Sequence, residues 1–511
     1  MSSSDTRPAV PAAAGAATTQ PVGRALGNWS AAAIITSLVV FAGAGLLRSS
    51  WMPPKLQLPS FSPPYELAVH VPPRIILIAI WVAALIAGAG IAAGLAALRR
   101  GQPVPMRLIM VAALIALVVL VIVPPTGSTD PLDYAVYGHI AETGRSPYVM
   151  TPFQYRAMFH VKSGVPLDWI RNPSVYGPLA TAEEVLASRL GGASLAAATF
   201  WLKLANAVAF AMVAVAADRA TRADRAARAR THLLWTANPL LLWNLIAAGH
   251  LDLLAAGIGL LGLLVADRWA ARSPSLAYAA VAGVCVGAAS AIKADYLLFV
   301  LAIAWVLRRR PGQLAAMAAG AAAVLVPGYL VAGLPAVKAL ASRALGGTGY
   351  GFYGFFLHRL GLSLSLSVPI AVVLMIVVGY LMFTRMPEGY ADRPAIRMAL
   401  LLAVVWLMLW PHQFAWYSVM IFCVLVFYPA SRLDWLVVLW FTVLTISDMP
   451  GLGFGRGPNR ELGHALYAIQ TQLGVHVTPL VMLVAAGALV ALCINGRWNL
   501  RQPAGWAADL P

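Results

Sequence analysis

Charge is scarce in this chain. Only 11% of its 511 residues are Asp, Glu, Lys or Arg, against roughly a quarter in an ordinary soluble domain. Acidic residues are the scarcer kind, 19 against 36 basic ones. Cysteine is nearly absent as well. Cys285, Cys423 and Cys493 all sit inside apolar runs, so they read as small hydrophobes and exclude a disulfide framework. No His/Asp cluster has metal-ligand spacing, so no metal and no other cofactor is expected, although paired carboxylates can hold a cation. No stretch is polar and long enough to form an appended soluble domain. A cleavage site followed by a polar mature domain is also missing after the first apolar segment, which therefore reads as a retained helix.

What the chain has instead is hydrophobicity, 60% of all residues. A water-soluble globule cannot hide that much apolar surface, whereas a bilayer is itself an apolar solvent. The net charge of +17 comes from short basic runs between apolar stretches. That is the distribution of membrane loops, so a nucleic-acid partner is not expected. A crossing helix needs about 20 apolar residues. About fourteen candidate segments follow: 29–47, 74–97, 107–124, 194–217, 233–249, 251–267, 276–292, 294–307, 313–333, 368–384, 397–411, 415–430, 433–447 and 476–495. Several are short enough to be broken or re-entrant. The expected class is all-α: a multi-pass plasma-membrane protein over 28–497, with cytoplasmic tails at 1–27 (disordered) and 498–511. No internal repeat with matched broken helices is visible.

Basic residues orient this bundle. Arg99, Arg100 and Arg107, the Arg219–Arg230 series, Arg308–Arg310, and Arg385, Arg393 and Arg397 all fall on the cytoplasmic side if both termini are cytoplasmic. The segment 125–193 then lies outside. So do the links around His250, Lys293 and His412, which gathers the remaining polar residues on one face.

The outer loop opens with TGSTDPLDYAVYGHIAETGRSPYVMTP. Asp130 and Asp133 stand at i and i+3, on one face of any helix starting there. Asp130 before Pro131 also fits a helix cap. Asp133, beside Tyr134, Tyr137 and His139, could take a proton from a hydroxyl nucleophile. Further on come Gly144, Ser146-Pro147-Tyr148, and Tyr176-Gly177-Pro178-Leu179. Glu183 to Leu190 is an amphipathic stretch suited to a membrane surface.

An Asp-x-x-Val-Tyr segment followed by Gly-x-Ser-Pro-Tyr and Tyr-Gly-Pro-Leu resembles the GT-C class of membrane glycosyltransferases. These take their sugar from a polyprenyl phosphate. The closest likeness is to actinobacterial α-1,6-mannosyltransferases of lipoglycan synthesis, over about 130–417. Asn238-Pro239-Leu240 through Gly249-His250-Leu251-Asp252 resembles the family's Asn-Pro-Leu … Gly-His-Asn-Asp segment, with Leu251 in place of an Asn. Lys293 follows a small-residue helix, as a lysine does in the relatives. Pro411-His412-Gln413-Phe414-Ala415-Trp416-Tyr417 resembles a His-Pro-Trp-Tyr segment with different spacing.

The resemblance implies an inverting transfer of mannose from a polyprenyl-phosphate-sugar donor to a lipid-linked glycan acceptor. It implies a GT-C-like bundle whose catalytic loop is 125–193. Asp133 is expected as the base, with Asp130 in reserve. His250, Asp252, Lys293, Arg343 and His358 are candidates for the donor phosphate. Tyr134, Tyr137, Tyr148, Tyr176, His412, Trp416 and Tyr417 are candidates for substrate contact. Plainer roles stand beside these. His250 and Asp252 could close a tight turn, Lys293 and Asp295 could neutralise each other, and the rings at 410–417 could form an interfacial belt. Arg343 and His358 could be surface anchors. A transporter of lipid-linked sugar, a non-catalytic scaffold of envelope assembly, and an arabinosyl- or glucosyltransferase are the competing functions.

Overall fold

The computed structural model describes residues 25–52, 55–159, 169–192, 194–270, 275–344, 352–411, 413–449, 468–469 and 471–498. Among them every regular element is a helix. In chain order the main ones are α1 (Ala25–Leu46), α2 (Pro73–Arg99), α3 (Met106–Ile122), α4 (Asp130–Glu142), α5 (Pro178–Gly191), α6 (Leu195–Thr221), α7 (Arg225–Ala247), α8 (Asp252–Arg268), α9 (Leu276–Ile292), α10 (Ala294–Leu307), α11 (Pro311–Ala344), α12 (Phe352–Arg359), α13 (Ser367–Arg385), α14 (Pro394–Leu409), α15 (Ala415–Leu425), α16 (Arg432–Asp448) and α17 (Leu473–Asn495).

Each of the fourteen expected segments is occupied by a helix. Six described helices are long and apolar enough to cross a membrane: α1, α2, α6, α11, α13 and α17. The pair α7 and α8, expected as two spans, is bent by 116° at a short break. Asn238 caps a new turn at Pro239, the segment Leu242–Ala247 is π-helical, and Gly249 takes a positive φ of 71°. These features make the bend between the two helices. α11 kinks at Gly333, with φ 77° and Pro327 and Pro335 on either side, where the sequence ends its span.

Inside an apolar solvent each polar group needs a protein partner. Ser30 and Ser37 of α1 donate to Gly90 O and Ala83 O of α2, at 2.7 and 2.9 Å. Gly283 of α9 lets Met317 of α11 approach so closely that a Cβ would lie 2.0 Å from its carbonyl oxygen, the small-residue packing that membrane helices use. α5 departs from the surface-helix expectation. It exposes Leu186 and Leu190 and buries Glu184 and Ser188, so its polar side faces the protein.

The bundle has two polar ends. One holds the basic links, and Arg230 and Asp434 knit it. Arg230 Nε and Nη2 donate to Asp434 Oδ2 and Oδ1 at 2.7 and 2.6 Å. The same guanidinium also reaches Tyr428 O and Leu425 O. Arg230 is 5% and Asp434 2% exposed. Removing one partner of such a pair strands the other charge. Arg230→Ala is expected to cost about 3–5 kcal/mol, seen as a lower unfolding temperature of the detergent-solubilised chain. Arg230→Met combined with Asp434→Leu should recover most of that loss.

Candidate active site

At the opposite end four pieces of chain meet: the loop after α3, the bend between α7 and α8, the α9–α10 junction and the link into α15. Thr126 N donates to Ala247 O at 2.8 Å and ties the loop to the bend. Gly249 permits a close approach, since a Cβ there would sit 2.7 Å from Pro131 Cγ of α4. Tyr176-Gly177 is pinned to the end of α9 by Gly177 N donating to Ile292 O at 3.0 Å.

α4 begins at Asp130, and the capping role is not its own. Its N–H donates to Ser128 Oγ at 3.1 Å, which leaves the carboxylate free for the bend. Asp130 Oδ2 lies 3.4 Å from His250 Nδ1 and accepts from Tyr134 OH at 3.4 Å. Its side chain is 17% exposed. Burial alone raises the Asp130 carboxyl. The contact and charge of His250, the Ser128 hydroxyl and the charge of Lys293 outweigh that and hold it below its ordinary value. Asp133 is different. It is 3% exposed and its Oδ1 has no hydrogen-bond partner among the described residues. Burial, then the negative charge of Asp130, push its carboxyl well above the usual range. The i, i+3 pair therefore holds two carboxyls whose surroundings push them in opposite directions.

Two further charges complete the cluster. Lys293 Nζ donates to Asp252 Oδ1 at 2.5 Å and lies 3.9 Å from Asp295 Oδ2. Its nearest carboxylate is thus across the bend, and the expected local neutralisation by Asp295 is secondary. His250 and Asp252 do not pair with each other among the described contacts. They point their charges to different partners. Tyr296 OH donates to Asp252 O, and Asn206 Nδ2 to His250 O, each at 2.9 Å, so backbone on both sides of the bend is held.

Aromatic rings cover the charges. Trp416 stacks on His250 at 4.0 Å and 12°, and Phe414 stacks on Trp416 at 4.5 Å and 7°. Lys293 Nζ sits 3.5 Å from the centroid of Tyr417. These rings are more than an interfacial belt. Tyr134 OH and Tyr176 OH are hydrogen-bonded at 3.0 Å beside Asp130. Asp448, which the sequence reading passed over, ends α16 and accepts from Ala415 N at 2.8 Å, fixing the turn that carries Trp416 and Tyr417. An acid closing an apolar span just before a proline is the signal that was there to find it.

Not every candidate joins the cluster. Tyr137 OH donates to Asn172 O and accepts from Trp169 Nε1, and Tyr148 OH is bonded to Thr181 Oγ1. Both knit the loop together. His358 is exposed on α12, with no hydrogen bond or ion pair to the other candidates among the described residues. His412 and the side chain of Arg343 lie outside the described residues. Among the described residues no group of three or more His, Cys, Asp or Glu is arranged to hold a metal ion.

Comparison with known proteins places this end of the bundle in context. The family model described as "Alpha-(1->6)-mannopyranosyltransferase, N-terminal domain" matches residues 36–309, which include Asp130, Asp133, His250, Asp252 and Lys293. An alpha-(1->6)-mannopyranosyltransferase of Mycobacterium tuberculosis is 32% identical over 152 residues, 29% of this chain and 25% of that protein. Alpha-(1->6)-mannopyranosyltransferase B of Corynebacterium glutamicum is 25% identical over 181 residues, 34% of this chain and 30% of that protein. The matched segment spans less than a third of either relative's length. Among solved structures, ArnT from Cupriavidus metallidurans bound to undecaprenyl phosphate has a TM-score of 0.40 at 16% identity, over 77% of this chain and 78% of that one. The arabinosyltransferase EmbB from Mycobacterium smegmatis has a TM-score of 0.39 at 15% identity, over 83% of this chain and 45% of that one.

The seat of Tyr176 can be tested without any substrate. A Cβ on Gly177 would lie 2.1 Å from Ala291 O, a backbone atom that cannot swing aside. Gly177→Ala should therefore lower the unfolding temperature in detergent, while Gly144→Ala, where a Cβ meets nothing within 4 Å, should cost only the strain of its positive φ, about 1 kcal/mol.

Proposed function

The chain belongs to the alpha-(1->6)-mannopyranosyltransferase family, and from that membership we propose that it moves a mannosyl group from a polyprenyl phosphate to a hydroxyl of a lipid-linked glycan. The observation that carries this reading is the partly exposed Asp130 carboxylate, held 3.4 Å from His250 in a cluster that also contains Lys293. A general base and cations for a departing phosphate are the two things an inverting transfer requires.

In the proposed step the acceptor oxygen attacks the anomeric carbon from the face opposite the phosphate. The carbon–oxygen bond to the phosphate breaks, and its electron pair leaves with the polyprenyl phosphate. The acceptor proton passes to Asp130. Lys293, oriented by Asp252, and His250, braced by Trp416, meet the phosphate charge. Tyr134, Tyr176 and Trp416 offer hydroxyls and a ring face to the sugars. The sequence pattern put Asp133 first as the base. In our reading that role passes to Asp130, which is partly exposed beside His250, while Asp133 is buried on the same helix. The basic links lie at the far end of the bundle, so the same reading puts the site on the outer face of the plasma membrane, with the polyprenyl tail among the helices.

Assay of membranes with labelled polyprenyl-phosphate-mannose tests the whole. Label should enter glycan. Movement of the donor across the bilayer without covalent transfer would instead establish a flippase, for which the bent α7–α8 pair would be the broken helix. Asp130→Asn should reduce transfer by about 10²–10⁴-fold with the protein still inserted. Asp133→Asn, at the buried member of the pair, should keep most activity. The reverse outcome would exchange the two roles.

The pH dependence has a definite sign. The base acts ionised, and a depressed carboxyl is ionised at every pH above its lowered value. Loss of activity through Asp130 should therefore begin only below about pH 4, under the ordinary aspartate value. An acid limb centred near pH 6 in the kcat/KM profile that disappears in the Asp133→Asn variant would count against the assignment.

A further inference from the structure

The side of α5 that faces the protein carries two acids with no counter-charge. All four carboxylate oxygens of Glu183 and Glu184 are shut off from solvent, and none has a hydrogen-bond partner among the described residues. Glu184 is 0% exposed. The packing beside it is tight. A Cβ on Gly138 of α4 would lie 2.2 Å from Glu184 O and 2.4 Å from Ser188 Oγ. Ser188 Oγ donates to Ala135 O at 3.1 Å, so α4 and α5 are in direct backbone contact here.

The groups around this interface do not neutralise it. α4 brings Asp133 and Tyr137, and the loop brings Tyr148, whose OH is bonded to Thr181 Oγ1 one turn ahead of Glu184. Tyr329 of α11 acts on Tyr148. The charges that act on Glu184 are Glu183 and Asp133, both of its own sign, and no charge from α6, α9 or α11 is among them. Arg189, the one basic side chain on α5, lies 3.5 Å from Glu142, which His139 approaches to 3.2 Å. A buried carboxyl without a cation costs least when it keeps its proton. Burial pushes Glu183 up to about 8. Burial, then the charges of Glu183 and Asp133, push Glu184 well above its ordinary value.

α5 begins where the charge cluster ends. Pro178 follows Tyr176-Gly177 directly, and Thr181 N donates to Gly177 O at 3.2 Å. Tyr176 in turn is bonded to Tyr134 beside Asp130. We propose that Glu183 and Glu184 make α5 a proton-dependent clamp, docked on α4 while both carboxyls are protonated and released from it as they ionise. They are positioning residues, acting on Tyr176 through the helix. Below the ordinary glutamate value the docked and released forms are both protonated, and docking is at full strength. Above it only the released form gives up its protons, so docking weakens about tenfold per pH unit for each carboxyl. The decline ends where the docked carboxyl ionises too, for Glu183 at about 8. The clamp itself is independent of the transfer reaction, and only its effect on activity rests on that reading.

Amide hydrogen exchange of the full chain in nanodiscs, read by mass spectrometry between about pH 6 and about pH 9 and corrected for the intrinsic rate, tests the clamp. Protection of α5 should fall by about a hundredfold or more over that range, while protection of α6 stays level. The double variant Glu183→Gln with Glu184→Gln should keep α5 protection level throughout, and Glu184→Gln alone should give about half the slope. An alkaline fall in kcat/KM for transfer should accompany release in the wild type and be absent from the double variant. Wild-type α5 protection that does not change with pH, or that falls as steeply in the double variant, would overturn the clamp. Loss of the pH dependence in Asp133→Asn alone would overturn it too, by moving the proton to α4. A chain that shows the clamp by exchange yet transfers no mannose would leave the clamp standing and sink the transfer reading instead.

Discussion

The bend between α7 and α8 sends two polar side chains in two directions, and the polar end of the bundle is organised around it. His250 reaches back to Asp130 on the loop, and Asp252 reaches forward to Lys293 at the α9–α10 junction. Neither pair could form if the chain ran straight through. The positive φ of Gly249, the hydrogen bond from Asn206 to His250 O, and the packing of Pro131 against the turn all serve that geometry. A charge at membrane depth is expensive unless it is paired. The bend brings each ion to a partner while keeping Asp130 partly open.

The loop that carries Asp130 needs its own anchorage, and two buried cations provide it. Arg48 Nε donates to Pro125 O and Lys203 Nζ to Val123 O, both at 2.7 Å. Each is almost fully buried. The donors meet the carbonyls left without helical partners at the end of α3, so the residues leading into α4 cannot swing. Position of the carboxylate is thereby transferred from a loop to the short helix Arg48–Trp51 that follows α1 and to α6.

Much of this was legible in the sequence. Apolar length alone located fourteen of the helices, though not α4, α5 or α12, and the Tyr176-Gly177-Pro178 and Gly249-His250-Leu251-Asp252 segments do converge. What spacing could not convey was which side of α4 is open. Asp130 and Asp133 share a face at i and i+3, and only the arrival of the bend, over 110 residues later in the chain, gives one a histidine neighbour while the other stays buried without one. The same limit applies to the tyrosines. Tyr134 and Tyr137 look equivalent in sequence, yet one borders Asp130 and the other is taken up by Trp169 and Asn172. Asp448 was missed because its partner is a backbone N–H, which no side-chain motif records.

One feature of the convergence is hidden by a count of side chains. α4, α8 and α10 all start at this site, with Asp130, Asp252 and Asp295 in their first turns. Each helix start carries about half a positive elementary charge from its aligned peptide dipoles. Three carboxylates outnumber the one lysine and would give a negative basin. The macrodipoles offset that sum, and they do so with backbone that no protonation can switch off. The potential at the site is therefore less negative than its residues suggest.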